Sequence, residues 1–312
     1  AMRVQIEVQP EEDGRIGAIW MEAAGDTHRG RPRAGANRAG PARLAANAAR
    51  DCDVPRFVPE PNMNRHAGLH RNLDPIYAFP DKRMVKALVP RLPLRPSALR
   101  CLGAPTNILA IESMMDEMAE ASGANPIDYR LQHLKDPRAE AVLRSLKETL
   151  AASAPPEEGV GRGIAYAQYK NAMTRVAISV DLRVNDLGDL RLDHIHIVAD
   201  AGRIVDRDGL IAQLEGGALQ GASWALHERV TWSAEGRDST DWDSYPVLRF
   251  DNVPIIETEL LSTDEGDTVG AGEASPGPVV AAIANGLYRA TGLRLKRFPF
   301  DRDAVLQAAL NA

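Results

Sequence analysis

The sequence predicts an α+β fold, with mixed and antiparallel sheets and flanking helices, and three observations carry that expectation. Segments alternating apolar and polar side chains, the period of a half-buried strand, open the chain and return in succession over Gly161–Tyr169, Thr174–Val184 and Leu190–Val198. Stretches with helical spacing cluster between Thr106 and Ala152 and return at Asp208–Leu226 and Val279–Thr291. Between the helix-rich and strand-rich portions, Ala154-Pro155-Pro156-Glu157-Glu158-Gly159 breaks both periods. Two α+β halves are therefore expected, residues 1–153 and 160–312.

Taken in order, Ala1 ahead of Met2 reads as an added residue, and Arg3–Val8 is already a strand. That suits a separately encoded subunit or a fragment of a longer protein. Arg3–Val8 and Ile16–Glu22 form a hairpin closed by Glu11-Glu12-Asp13-Gly14. Thr27–Arg50 carries six arginines and no acid, but no aromatic residues interleave and no amphipathic period appears. It reads as a solvated or partner-facing loop rather than a nucleic-acid or lipid patch. His66 and His70 have helical spacing, yet Gly68 lies between them and no further ligand is near, so they read as surface histidines.

Arg83–Val89 and Leu94–Arg100 are expected strands. Gly103-Ala104-Pro105 then opens a helix at Thr106 that runs to Gly123, with its methionines in the core. Ile127–Leu134 and Arg138–Ala152 continue as helices. His194 and His196 share one face of the third alternating strand, and without further ligands in view no metal site is assigned there. The helix over Asp208–Leu226 contains Gly216, Gly217 and Gly221. Each glycine costs about 1 kcal/mol relative to alanine, which implies close approach of another backbone or a bulky ligand. Trp232–Phe250 is irregular, Ile255–Leu261 is a strand, and Leu293–Phe300 is expected as a closing strand after the Gly292 helix stop.

Composition limits the function. A hydrophobic content of 44% supports a sizeable core, and a net charge of -6 is too mild for nucleic-acid binding. Cys52 and Cys101 make no disulfide framework. No run has the length of a membrane span and no secretory signal precedes the first strand, so a soluble chain, cytoplasmic or periplasmic, is expected.

Chemistry concentrates in Val269–Pro278, where three glycines and two prolines surround one carboxylate, Glu273. Two readings stand side by side. An acidic residue ahead of a helix start gains about 0.3 to 1 kcal/mol from the macrodipole. Alternatively, a partly desolvated carboxylate on a glycine loop serves as a general base. Spacing alone does not separate them. Arg100, just before a glycine turn and a helix start, suits an anionic or carbonyl-bearing ligand.

Several motifs resemble one family in order along the chain. They are Glu112-Ser113-Met114-Met115-Asp116-Glu117, Asn125-Pro126, Tyr129-Arg130-Leu131 and Leu134-Lys135-Asp136-Pro137-Arg138. Further on come Gln213-Leu214-Glu215-Gly216, Ser244–Phe250, Gly270-Ala271-Gly272-Glu273, Gly277-Pro278 and Ala281–Asn285. Together they resemble the C-terminal part of the molybdopterin-binding subunit of molybdenum hydroxylases, the xanthine dehydrogenase and aldehyde oxidase family, most closely the isoquinoline 1-oxidoreductase type.

The resemblance implies a molybdenum-binding-domain-like fold, with Glu273 as catalytic base and Arg100 facing the substrate. It further implies Gln213, Gly270, Ala271 and Gly272 in contact with the cofactor. That cofactor would be a molybdenum-pterin, in the cytosine dinucleotide form. Oxidative hydroxylation of an N-heteroaromatic, isoquinoline-like substrate with oxygen from water is the implied reaction. Aldehyde oxidation on the same site, or a catalytically incomplete fragment of the fold, are the alternatives. The implied partners are an N-terminal molybdenum-binding chain or segment and a 2Fe-2S subunit, which would carry the iron-sulfur clusters.

The chain departs from the family in two places. Asp206-Arg207 stands where an Asn-Pro is usual, and the family's Gly-Gln-Gly and Gly-Gly-Gly-Phe-Gly loops are absent. Cys101 matches the copper-holding cysteine of aerobic carbon monoxide dehydrogenases, but Leu102-Gly103-Ala104 replaces the run that follows it there. A buried inert thiol is the simpler reading.

Overall fold

The computed structural model describes residues 2–26, 28, 68–89, 98–261 and 266–311. The expected α+β class holds. Met2–Pro10 (β1) and Ile16–Gly25 (β2) form the opening hairpin, and Asp81–Leu88 (β3) adds to β2 in parallel, giving the order β1-β2-β3. Three helices follow, Ala104–Ala121 (α1), Pro126–Leu131 (α2) and Pro137–Ala152 (α3). The antiparallel meander is Val160–Gln168 (β4), Arg175–Val184 (β5) and Leu190–Asp200 (β6). Helix α4 is Arg207–Leu226, and Trp232–Ser233 (β7) with Gly236–Arg237 (β8) makes a small hairpin. Ile255–Leu261 (β9) pairs with β6 in parallel, completing the order β4-β5-β6-β9. Pro276–Thr291 (α5) and Arg302–Leu310 (α6) end the chain.

The four-stranded sheet lies between two cores because its strands alternate. Ile164 and Tyr166 of β4 pack with β2, α1, α2 and α3, while Ala165 and Ala167 pack with α4 and α5. Residues on both sides of the 154–159 break enter each core. Helix α5 lies so close to β4 that a methyl added at Gly163 would overlap the Ala282 carbonyl and the Gly286 amide, and one at Gly161 the Gly286 carbonyl. Between the layers, the buried Asn285 side chain donates to the Glu112 carbonyl at 3.2 Å and the Ile164 carbonyl at 3.0 Å. Buried backbone acceptors need such partners, so one side chain ties three elements.

His133 does similar work at the other end. It is buried, its Nε2 accepts from the Ile16 amide at 3.0 Å, and its Nδ1 lies 2.7 Å from the Tyr129 carbonyl. Only the neutral ring with hydrogen on Nδ1 satisfies both contacts. Burial is the main reason its pKa sits below the ordinary 6.5. A histidine with a depressed folded pKa contributes stability above its unfolded value and loses it as pH falls below that value. The urea midpoint should therefore drop as pH falls below 6.5, and His133→Asn should flatten the slope there. An unchanged slope would contradict the neutral-ring assignment.

Three expectations are corrected or limited. Leu293–Phe300 forms no strand: Leu295 and Phe300 bury as isolated anchors, and the Phe300 amide donates to the Ala225 carbonyl of α4 at 2.6 Å. Its alternation is met by core anchoring, not by a ladder. Of the strand expected at Leu94–Arg100, residues 94–97 lie outside the described residues, and 98–100 are not strand. Most of the arginine-rich segment and His66 also lie outside them. The last helix, α6, was not foreseen, although Asp301 caps it by accepting from the Ala304 amide at 2.9 Å. Among the described residues no helix is long and apolar enough to cross a membrane.

Candidate functional site

The turn before α1 is held in an unusual shape. Cys101 and Leu102 have φ of +74° and +55°, a left-handed conformation that costs a non-glycine residue on the order of 1–3 kcal/mol. Local bonds from the Leu102 amide to the Leu99 carbonyl and from the Ala104 amide to the Cys101 carbonyl close it. The remaining support comes from a segment distant in sequence. The Cys101 amide donates to Glu273 Oε1 at 2.8 Å, and its thiol to the Glu273 carbonyl at 3.4 Å.

Glu273 sits on the loop between β9 and α5, tied down at its start. The Val269 amide donates to the Ala201 carbonyl at 3.1 Å, and Thr174 Oγ1 donates to the Gly270 carbonyl at 3.0 Å. These anchors hang the loop from the end of β6 and the approach to β5. Helix α5 begins at Pro276, three residues before the start expected at Val279. Glu273 does not cap that helix; its carboxylate turns to the Cys101 amide instead. The side chain is half-buried.

Arg100 links the loop to α4. Its Nε donates to the Gly272 carbonyl, Nη1 to Gln220 Oε1 at 3.1 Å, and Nη2 to Gln213 Oε1 at 3.0 Å and the Gln213 carbonyl at 3.3 Å. Gln213 and Gln220 are seven residues apart, two helical turns, and so share one face. The planar guanidinium reaches both glutamines and the loop at once, which an ammonium could not do. Ser275, fully buried, adds a second tie by donating to the Leu214 carbonyl at 2.6 Å.

The helix glycines divide by role. At Gly217 and Gly221 a methyl would overlap Ser275, Pro276 or Val279, so these two permit the approach of α4 to the α5 start. Gly216 has nothing within 4 Å of an added methyl, and the same holds for Gly272. These two glycines face open space beside Arg100 and Gln213. The amides of Gly270, Ala271 and Gly272 donate to no acceptor among the described residues. Gln213 spends its carbonyl oxygen on Arg100, leaving its amide Nε2 as a donor. This wall of free donors without side-chain bulk fits one side of a large polar cofactor with phosphate and carbonyl oxygens. Asp206, where the resemblance leads one to expect Asn-Pro, caps α4 by accepting from the Gly209 amide at 3.0 Å.

Two neighbours shape the electrostatics. The Tyr169 hydroxyl is buried without a hydrogen bond of ordinary geometry, and burial followed by the nearby Glu273 charge pushes its pKa up. The Cys101 thiol is buried, and burial, followed by the Glu273 charge and opposed by Arg100, pushes its pKa up too. That favours the protonated, unreactive thiol.

The structure thus brings Arg100, Gln213, Gly272 and Glu273 into one contact network, with Gly270 and Ala271 on the same loop. Sequence reading missed Gln220, Tyr169 and Ser275. Gln220 was open to inference from its shared helix face with Gln213; Tyr169 and Ser275 carry no local signal.

Comparison with known proteins matches residues 108–254 to a molybdopterin cofactor-binding domain family. Gln213 and Gln220 lie inside that span, Arg100 and Glu273 outside it. A nicotinate dehydrogenase subunit of Pseudomonas putida is 33% identical over 69% of this chain and 20% of its own length. The beta subunit of isoquinoline 1-oxidoreductase from Brevundimonas diminuta is 33% identical over 74% of this chain and 30% of its own. The chain therefore spans less than a third of either relative. The solved structure of quinoline 2-oxidoreductase from Pseudomonas putida 86 superposes on 99% of this chain and 62% of that one with a TM-score of 0.74, at 10% identity, a likeness of fold.

Proposed function

The chain belongs to the molybdenum hydroxylase family, as a piece of its molybdopterin-binding portion, and on that premise we propose that it supplies the catalytic base and one wall of the cofactor site of a molybdenum-dependent oxidoreductase. The observation that carries this reading is the Glu273–Cys101 contact at 2.8 Å. It sets a carboxylate 172 residues along the chain beside the Arg100 turn and the Gln213 face of α4.

Within the site each residue has a definite task. Glu273 commits Oε1 to the Cys101 amide, and Oε2 is the atom to which we assign the proton. The amide bond fixes the carboxylate's direction, and partial burial keeps it from full hydration. Arg100 is a positioning residue: it fixes Gly272 and both glutamines and keeps one Nη1 hydrogen for a substrate carbonyl or ring nitrogen. Gln213, Gly270, Ala271 and Gly272 offer the amide donors that would hold a molybdenum-pterin, for which we take the cytosine dinucleotide form. When bound, that group supplies the two-electron redox chemistry.

The substrate we assign is an N-heteroaromatic ring, because two relatives at 33% identity are named for nicotinate and isoquinoline. Aldehyde oxidation is the second reading. Completion of the site falls to an N-terminal molybdenum-binding chain or segment, with iron-sulfur clusters on a 2Fe-2S partner. Co-expression with those partners, metal analysis, and dye reduction over isoquinolines, nicotinate-like acids and aldehydes test the assignment. Dye reduction by aldehydes alone would overturn the substrate class, and a co-expressed complex without molybdenum would overturn the cofactor role.

Arg100→Lys should lower kcat/KM by about 10- to 100-fold, because hydrogen bonds to charged groups contribute about 1.5–3 kcal/mol and an ammonium cannot span Gly272, Gln213 and Gln220 together. The positioning role predicts that kcat falls along with kcat/KM. A rise in KM alone would assign the arginine to substrate binding only.

A further inference from the structure

On the four-stranded sheet, away from the Glu273 loop, a second cluster uses side chains that the proposed function does not need. His194 and His196 of β6 share a face, and Glu257 of β9 stands directly beside His196 in the parallel pairing. A single carboxylate oxygen, Glu257 Oε2, lies 3.2 Å from His194 Nε2 and 3.1 Å from His196 Nδ1, and all three atoms fall within 4.8 Å of one another. The two rings lie against each other, centroids 3.9 Å apart and tilted by 35°.

Ordinary hydrogen bonding does not account for this arrangement. His194 Nε2 is buried and, although it lies 3.2 Å from Glu257 Oε2, makes no hydrogen bond of ordinary geometry among the described residues. Ser179, opposite His196 on β5, likewise has a buried hydroxyl without a partner. Two stacked imidazolium rings would repel, so at least one ring must stay neutral with a lone pair free. Burial, followed by the His194 charge, lowers the pKa of His196 in that direction. The ligand spacing also fits an ion. With bonds of about 2.0–2.1 Å, tetrahedral zinc sets its ligand atoms about 3.3 Å apart, close to both nitrogen–oxygen separations.

We propose that His194, His196 and Glu257 form a binding site for a zinc-like divalent transition-metal ion, with a fourth position open to water on the exposed Glu257 side. Two imidazoles and one carboxylate select borderline ions over magnesium or calcium. The ion would clamp the edge strand β9 to β6. From that strand the chain runs on to the Glu273 loop, whose Val269 anchor is the Ala201 carbonyl, about 16 Å along β6 from His196 at strand spacing.

The test uses the full chain without a polyhistidine tag, stripped of metal with a chelator and titrated with zinc against a chromophoric competitor. One equivalent should bind, cobalt should give the visible ligand-field bands of a four-coordinate site, and zinc should raise the melting temperature. His194→Gln and Glu257→Gln, which change partly or largely exposed side chains, should each weaken zinc binding about tenfold or more and remove the cobalt bands. Circular dichroism on both variants checks that the sheet persists. The proposal is overturned if the parent chain binds no zinc, if magnesium binds equally well, or if both variants bind zinc as the parent does.

Discussion

In the assembled enzyme, Glu273→Gln is expected to lower kcat by about 10²- to 10⁴-fold, the range spanned by positioned general acid–base groups, equivalent to about 2.7–5.4 kcal/mol of barrier. The substitution separates shape from proton affinity. Glutamine keeps the length and can keep an oxygen toward the Cys101 amide, so the left-handed Arg100–Leu102 turn stays supported. It cannot take a proton at the second position. Molybdenum content and melting temperature should therefore match the parent, and kcat and kcat/KM should fall together. Full turnover by the variant would place the base elsewhere. Lost metal would make Glu273 a cofactor-site strut.

The largest expected loss of stability comes from the middle of the layered core. Glu112 is fully buried and accepts from Arg130 Nε at 2.8 Å, the Tyr77 hydroxyl at 2.7 Å and the Tyr166 amide at 2.8 Å. Arg130 is itself fully buried and also donates to the Pro126 and Ile164 carbonyls. Glu112→Ala leaves a guanidinium charge in a dry interior together with an orphaned hydroxyl and amide. Breaking such a pair costs about 3–5 kcal/mol, read as a fall in urea midpoint at unchanged m. Glu112→Met with Arg130→Met should recover only the part due to the unpaired guanidinium, because two apolar side chains leave no buried charge while the Tyr77 hydroxyl and Tyr166 amide still lack their acceptor. A single-variant loss below about 1 kcal/mol would show that the ion pair contributes no more than an exposed one.

These two carboxylates bear on how the sequence could be read. Glu112 and Arg130 stand inside motifs quoted for the family resemblance, yet both are committed to each other in the core and neither touches the Glu273 network. A family motif records fold as readily as chemistry. Strands and helices were legible wherever a period ran for a full element, as in the β4–β6 meander and in α1, α3 and α4, because alternation and helical spacing directly encode which face meets a core. Leu293–Phe300 misled because its alternating large side chains are anchors dropped separately onto α4 and the core, with no neighbouring strand to pair with. The short α6 was missed because its cap and apolar positions span too few turns to show a period.

By itself, the sequence determined the α+β class and the glycine loop with its single carboxylate, which rest on local composition and order along the chain, and its motifs resembled the family to which the comparisons assign it. Only the tertiary structure decided that Glu273 turns away from its own helix to the Cys101 amide, that one guanidinium joins the loop to both glutamines of α4, and that Glu257 meets two histidines some sixty residues earlier. The reason is physical: a periodic pattern says which way a side chain faces, whereas the partner it meets there is set by how separate elements pack.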